Sequence, residues 1–240
     1  MIKNNIPLLR QLDLGIPLIG VYDAPGDAAF GEIFEPPAGR HSCFFSSYKK
    51  WLKGKTLRLD PEHYGCGGCG TWMFGKQTRT RQEYIEFLVD DEGLKSRHED
   101  MGAWFEIAPR YIPQNGFLFI GPLRDDKKEY LKTVSFFVNP DQLSVLMIGA
   151  QYFHRPGMPD PVIAPFGSGC SQILSQFTDL NIPQAIIGAT DMAMRKYLPA
   201  DVLAFTATVP MFDLLCSIEE NSFLDKPFIR ELKKARKGKL

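Results

Sequence analysis

The chain has 240 residues, 28 Lys+Arg against 28 Asp+Glu, 44% hydrophobic side chains and 23% charged ones. These values are those of an ordinary folded domain, which excludes disorder and fibrous architectures. A formal net charge of zero argues against a nucleic-acid partner, which would call for a basic surplus, and a chain this long needs neither a disulfide nor a metal merely to fold.

The N-terminus carries Lys3 and Arg10 around an apolar run too short for a secretory leader, and no stretch approaches the length of a membrane span. Even Leu143 to Phe153 is interrupted by Ser144 and Gln151. The expectation is a cytoplasmic protein without a membrane span; partners stay open, a homo-oligomer included. A short helix is expected at Leu8 to Leu12, then a buried strand at Ile16 to Tyr22. Ala24 to Arg40 reads as loop, Phe44 to Lys53 as an aromatic-bearing helix, and Thr56 to Leu59 as a short strand. Gly65 to Gly75 holds five glycines in eleven residues and reads as a structured loop running into a short helix. Thr80 and Glu83 have the spacing of a capping box, with Tyr84, Ile85, Phe87 and Leu88 as the buried face. Asp90 to Asp100 is expected to be exposed, and Phe117 to Pro122 to be a strand.

Beyond residue 132 the pattern becomes regular. Strands are expected at Thr133 to Val138, Pro161 to Ala164, Ala185 to Gly188 and Val202 to Ala207. Helices are expected from Asn139-Pro140 to about Tyr152, from Cys170 through Phe177, as a turn over Asp191 to Tyr197, and from Pro210. Residues 226–240 hold seven basic groups and one acid, so the rest of the chain carries −6. That end reads as a final helix with Phe228, Ile229, Leu232 and Ala235 inward and lysines outward. The fold class expected is α/β, or interleaved α+β, with a mixed sheet flanked by helices. One domain is expected over 1–240: an N-terminal region (residues 1–125) with the cysteine loop, a more regular βα region (residues 132–217), and the basic helix over 226–240.

Most of the chemistry lies in four of the five cysteines. An odd, sparse count fits thiols or thiolate ligands better than a disulfide framework. In Gly65-Cys66-Gly67-Gly68-Cys69-Gly70, two thiolates three residues apart can grip one metal. Glycine amides can come close enough to donate to the sulfurs. This is half of a tetrahedral site, so Cys43 and Cys170, each where a loop meets an expected helix start, are the candidate completions. A ligand set Cys43, Cys66, Cys69 and Cys170 would suit zinc or an iron–sulfur cluster. Cys216, behind Leu214 and Leu215, reads as a core residue. His63 and His41 stand close enough in sequence to ligate or hydrogen-bond there, whereas His98 and His154 lie in polar surroundings. The glycines could equally serve tight turns over buried structural cysteines, or the C-x-x-C could be a redox pair.

Pro165-Phe166-Gly167-Ser168-Gly169-Cys170 joins a strand to an expected helix. Amides at Gly167 and Gly169 could cradle an anionic cofactor, although neither a P-loop nor G-x-G-x-x-G is present. Asp191 and Arg195, four apart, would face each other on a helix as a structural pair.

Taken in order, Ser135 to Leu143, Pro165 to Cys170, Gly188-Ala189-Thr190-Asp191 with Arg195, Phe205 to Phe212, and the earlier pairing of Cys43 with Gly65-Cys66-Gly67-Gly68 resemble the ArCR family, domain of unknown function 169, of archaea and bacteria. The resemblance covers almost the whole chain and implies a single α/β-type domain in a cytoplasmic prokaryotic protein, with no activity to carry over. Cys43, Cys66 and Cys170 coincide with positions of that family's pattern. Three functions therefore compete: a metal or iron–sulfur protein built on a cysteine cluster, a small-anion-binding module with structural cysteines, and a thiol-dependent enzyme.

Overall fold

The computed structural model describes residues 6–26, 30–35, 42–77 and 79–237. Its centre is an eight-stranded mixed sheet in the order β2-β3-β4-β1-β5-β8-β7-β6. The strands are β1 (Ile19–Asp23), β2 (Glu32–Ile33), β3 (Leu57–Leu59), β4 (Leu118–Pro122), β5 (Leu131–Val138), β6 (Val162–Ile163), β7 (Ala185–Gly188) and β8 (Leu203–Thr208). The run from β3 to β7 is antiparallel, and the two outermost strands join in parallel. The fold is α/β, as the alternation of strands and helices beyond residue 132 implies.

Period-two alternation makes both sheet faces apolar. On one face lie Ile19, Val21, Leu57, Leu59, Leu118, Ile120, Phe137 and Ala204. On the other lie Tyr22, Phe119, Leu131, Val134, Phe136, Val138, Phe205 and Ala207. Helices α1 (Pro7–Leu12), α6 (Pro140–Gln151), α8 (Val209–Cys216) and α9 (Pro227–Ala235) cover the second face. The first is covered by α2 (Tyr48–Leu52), α3 (Gly67–Phe74), α4 (Arg81–Glu86), α5 (His98–Ile107), α7 (Met192–Arg195) and the irregular run 165–177. Thr133 Oγ1 fastens that run to the sheet by donating to the Ile173 carbonyl at 2.7 Å, and within the sheet Ser135 on β5 shares a 2.8 Å bond with Thr206 on β8.

Local chemistry explains the helix starts. Asn139 and Gln142 cap α6 reciprocally, with Pro140 at its first position, and Thr80 with Glu83 does the same for α4. Thr208 caps α8 by accepting from the Met211 amide.

Several expectations are corrected. The aromatic helix at 44–53 divides into a 3-10 turn, Phe44–Ser47, and α2. The charged stretch Asp90 to Asp100 is largely exposed as expected, but it leads into a helix that was not expected, α5, whose buried face is Met101, Gly102 and Phe105. Only a 3-10 turn, Ser171–Ile173, replaces the helix expected from Cys170 through Phe177. There the side-chain amide of Gln176 donates to the Phe166 carbonyl and folds the segment back on itself. On α9 Ile229 is buried, but Phe228 and Ala235 are exposed, because the helix meets the core along a narrow stripe. Asp191 and Arg195 do not pair: Asp191 caps α7, and Arg195 donates to the carbonyls of Ala189, Val202, Pro199 and Ala200. No described helix is long and apolar enough to cross a membrane.

Candidate functional site

The thiols of the candidate set come from three separate stretches packed on the first face of the sheet. Cys43 precedes the 3-10 turn Phe44–Ser47, Cys66 is the N-cap of α3 with Cys69 in its first turn, and Cys170 ends the glycine loop. Gly65 makes the first junction possible. Its φ is +92°, and a Cβ there would stand 2.7 Å from the Ser42 carbonyl oxygen, so only glycine lets the chain before Cys66 lie on the backbone leading to Cys43. The second junction is at Gly68, whose missing Cβ would lie 3.8 Å from Cys66 Sγ and 3.9 Å from Ser168 Cβ. The C-x-x-C turn is thereby set against the loop that carries Cys170.

Cys69 and Cys170, 1% and 4% exposed, are neighbours close enough to shift each other's protonation, while the Cys69 thiol also lies 3.8 Å from Met73 Sδ. Cys43 and Cys66 lie within electrostatic reach of Cys170 and of each other. Amides face these sulfurs: Phe45 faces Cys43, Gly68 and Cys69 face Cys66, and Ser171 faces Cys170. The Ser168 hydroxyl lies 3.2 Å from Cys170 Sγ. Burial sets the protonation of most of the group. It pushes Cys66 up to about 11 and raises Cys43 and Cys69 well above the usual thiol range, with the neighbouring sulfurs adding to the rise. Cys170 goes the other way, because hydrogen bonds from Cys69 and from Ser168 favour its thiolate over the cost of burial. Among the described residues, no group of three or more His, Cys, Asp or Glu side chains is arranged to hold a metal ion.

The glycine loop is occupied from within. The Gly169 amide donates to Asp191 Oδ2 at 3.0 Å, and Met194 packs so closely that a Cβ on Gly169 would overlap its sulfur. Gly167 sits against the amide of Gln176. Gln172 Nε2 ties the loop to Thr190 Oγ1 at 2.7 Å and to the Pro165 carbonyl at 3.3 Å. The histidines stand apart: the His63 ring bonds to Asp60 at 3.0 Å and His98 to Asp90 at 3.0 Å, while His41 lies outside the described residues. Cys216 is on α8, packed on the opposite face of the sheet.

Sequence reasoning gave no role to Ser168 or Tyr84. Tyr84 Oη would lie 3.6 Å from a Cβ on Gly68, and its phenol is held protonated by burial and by Cys170 and Cys66. Capping-box spacing placed Tyr84 on a buried face, but only the packing of α4 on α3 puts its hydroxyl beside the thiols.

The structure thus defines an α/β protein with helical layers on both faces of its sheet and buried thiols from distant stretches beneath one layer. The chain belongs to the DUF169 family, described as uncharacterised ArCR, whose model matches residues 12–217 and so includes Cys43, Cys66, Cys69 and Cys170. No curated protein and no solved structure matches it.

Proposed function

We propose that the protein carries a thiolate-ligated metal centre held by Cys43, Cys66, Cys69 and Cys170, an iron–sulfur cluster or a single zinc ion. The observation that supports this most is that thiols from three distant stretches come within electrostatic reach of one another, each stretch bringing backbone amides toward sulfur. Donated N–H groups stabilise thiolates and tune clusters, and they serve nothing in a merely apolar cysteine. A single zinc ion would need all four sulfurs roughly 3.5–4 Å apart around bonds near 2.3 Å. Among the described side chains no such grouping is present, so a centre of either kind would require the sulfurs to move on loading. Loading would release the thiol protons and turn the sulfurs inward, since only thiolates bind metal. Gly167 and Gly169, in this reading, shape the loop that delivers Cys170 and do not themselves hold a ligand.

A second reading has its own observation, the closeness of the Cys69 and Cys170 thiols. It makes the pair a dithiol that external oxidants convert to a disulfide. Anaerobic purification followed by iron, sulfide and zinc analysis and a visible spectrum separates the two. The metal reading expects iron with acid-labile sulfide, or zinc, and its loss in Cys170→Ser. Protein that takes up no metal on reconstitution, and yields a Cys69–Cys170 disulfide with diamide, would overturn it.

A further inference from the structure

Next to the thiols, on the far side of Tyr84, a cavity of about 530 Å³ opens between α3, α4 and the end of α5. Its size is that of a small-molecule site. Gly75, at φ +62°, ends α3 in the left-handed conformation and turns the chain so that Lys76 and Arg79 reach the rim. Arg81 and Arg110 complete a lining with four cations, against which stands the single carboxylate of Glu106. The protein as a whole has no net charge, so this concentration is local.

The cations are held in different ways. Arg81 pairs with Glu106 at 2.6 Å, and Lys76 pairs with Glu62 at 3.1 Å. Arg110 lies over the rings of Phe105 and Trp72, 4.9 and 5.6 Å from their centroids, and makes no ion pair with a described residue. Arg79 lies over Phe87 at 4.0 Å; it also borders a more open hollow lined by Glu83, Glu86, Asp90 and Asp91, which draws part of its charge. A guanidinium that leans on aromatic rings and has no described carboxylate partner can offer its N–H fork to a planar anion. Deeper in, the Thr71 hydroxyl and the Tyr84 ring, both buried, form the floor, and Phe105 supplies an apolar wall.

We propose that this cavity binds a small organic anion bearing two or more carboxylate or phosphate groups, with Arg110 as its principal anchor and Phe105 against its carbon body. Four cations face two paired carboxylates, Glu62 and Glu106, and the positive surplus that remains favours a polyanion over a monovalent ion. The inference does not rest on the metal reading; Tyr84 merely makes the two sites neighbours.

Isothermal titration of the full chain at constant ionic strength tests it, with citrate, phthalate and inorganic pyrophosphate as probes and Trp fluorescence as a second readout through Trp72. Saturable binding of at least one probe at one site per chain is expected. Arg110→Ala should weaken it roughly tenfold to a hundredfold, the loss of charge-assisted hydrogen bonds, and Arg110→Lys should fall between, keeping charge without the fork. Lys234→Ala, on α9 across the sheet, should leave binding unchanged. Pyrophosphate binding tighter than both carboxylates would make phosphate the recognised group; the reverse would make it carboxylate. No saturable binding of any probe at millimolar concentrations would overturn the proposal. So would unchanged affinity in an Arg110→Ala variant whose circular dichroism matches the parent.

Discussion

Gly68→Ala tests the placement of the thiols with effects of opposite sign on stability and on metal loading. A methyl group at position 68 would stand 3.6 Å from Tyr84 Oη, 3.8 Å from Cys66 Sγ and 3.9 Å from Ser168 Cβ, all ordinary contact distances. No strain therefore opposes it. Replacing a helical glycine by alanine contributes about 0.5–1 kcal/mol by restricting the unfolded chain. Gly68 lies in the first turn of α3, so the lower half of that range is expected. For a protein of this size the gain corresponds to a rise in melting temperature of roughly 1–3 °C. The same methyl, however, fills the gap between Cys66 and the Cys170 loop, where the proposed centre must sit. Calorimetric melting of the metal-free protein, with metal analysis after reconstitution, gives both numbers. Higher melting with metal content reduced at least fivefold is expected. A variant that melts below the parent would show that Gly68 is more tightly enclosed than these distances allow. One that loads metal normally would refute the placement of the centre between these elements.

Three further outcomes follow from the packing. Asp23, 1% exposed, accepts from Tyr111 Oη at 2.7 Å, the Gln114 amide at 2.8 Å, and the Asn115 amide and side chain at 3.0 and 3.2 Å. Asp23→Asn must point its NH2 at two of these donors, so urea denaturation should show a loss of roughly 3–5 kcal/mol; a loss below about 1 kcal/mol would mean that the segment 111–115 adjusts freely. Arg195→Lys cannot reach the four carbonyls that Arg195 now holds, and thermal melting should register a loss of roughly 2–3 kcal/mol. Arg236 holds the Asp141 carboxyl below the usual range, so the pair stabilises the fold above the unfolded Asp value near 3.9 and loses this contribution as pH falls through the lowered folded value. The stability gap between parent and Arg236→Ala should then be small but present at pH 7 and close on acidification, as stability curves at several pH values will show.

What the sequence made legible was local. The capping box at Thr80, the Asn139-Pro140 start of α6 and the strands β5, β7 and β8 depend on neighbours within four or so residues, and all stand where spacing puts them. Helix α5 was hidden because His98-Glu99-Asp100 presents a charged first turn and the buried Met101, Gly102 and Phe105 follow in a short, weakly periodic run. The thiol set was nameable from glycine-flanked cysteines and loop-to-helix junctions. Its assembly was not, since it depends on Gly65 touching Ser42 and on Gly68 facing Ser168, contacts that no spacing encodes. The cationic cavity was invisible for the same reason: Lys76, Arg79, Arg81 and Arg110 come from three regions of the chain and look like ordinary surface charge until α3, α4 and α5 are packed.

The two outer strands have a consequence for how copies of this chain can associate. β2 and β6 are two residues long each, Glu32 of β2 is engaged by Lys50, and β6 is bracketed by Pro161 and Pro165, which lack an amide hydrogen. An arriving strand would find too few free donors and acceptors at either rim to form a ladder. Among the described residues, growth of the sheet from molecule to molecule is thus disfavoured at both edges. The described edges leave association between copies to the side-chain surfaces of the helical layers.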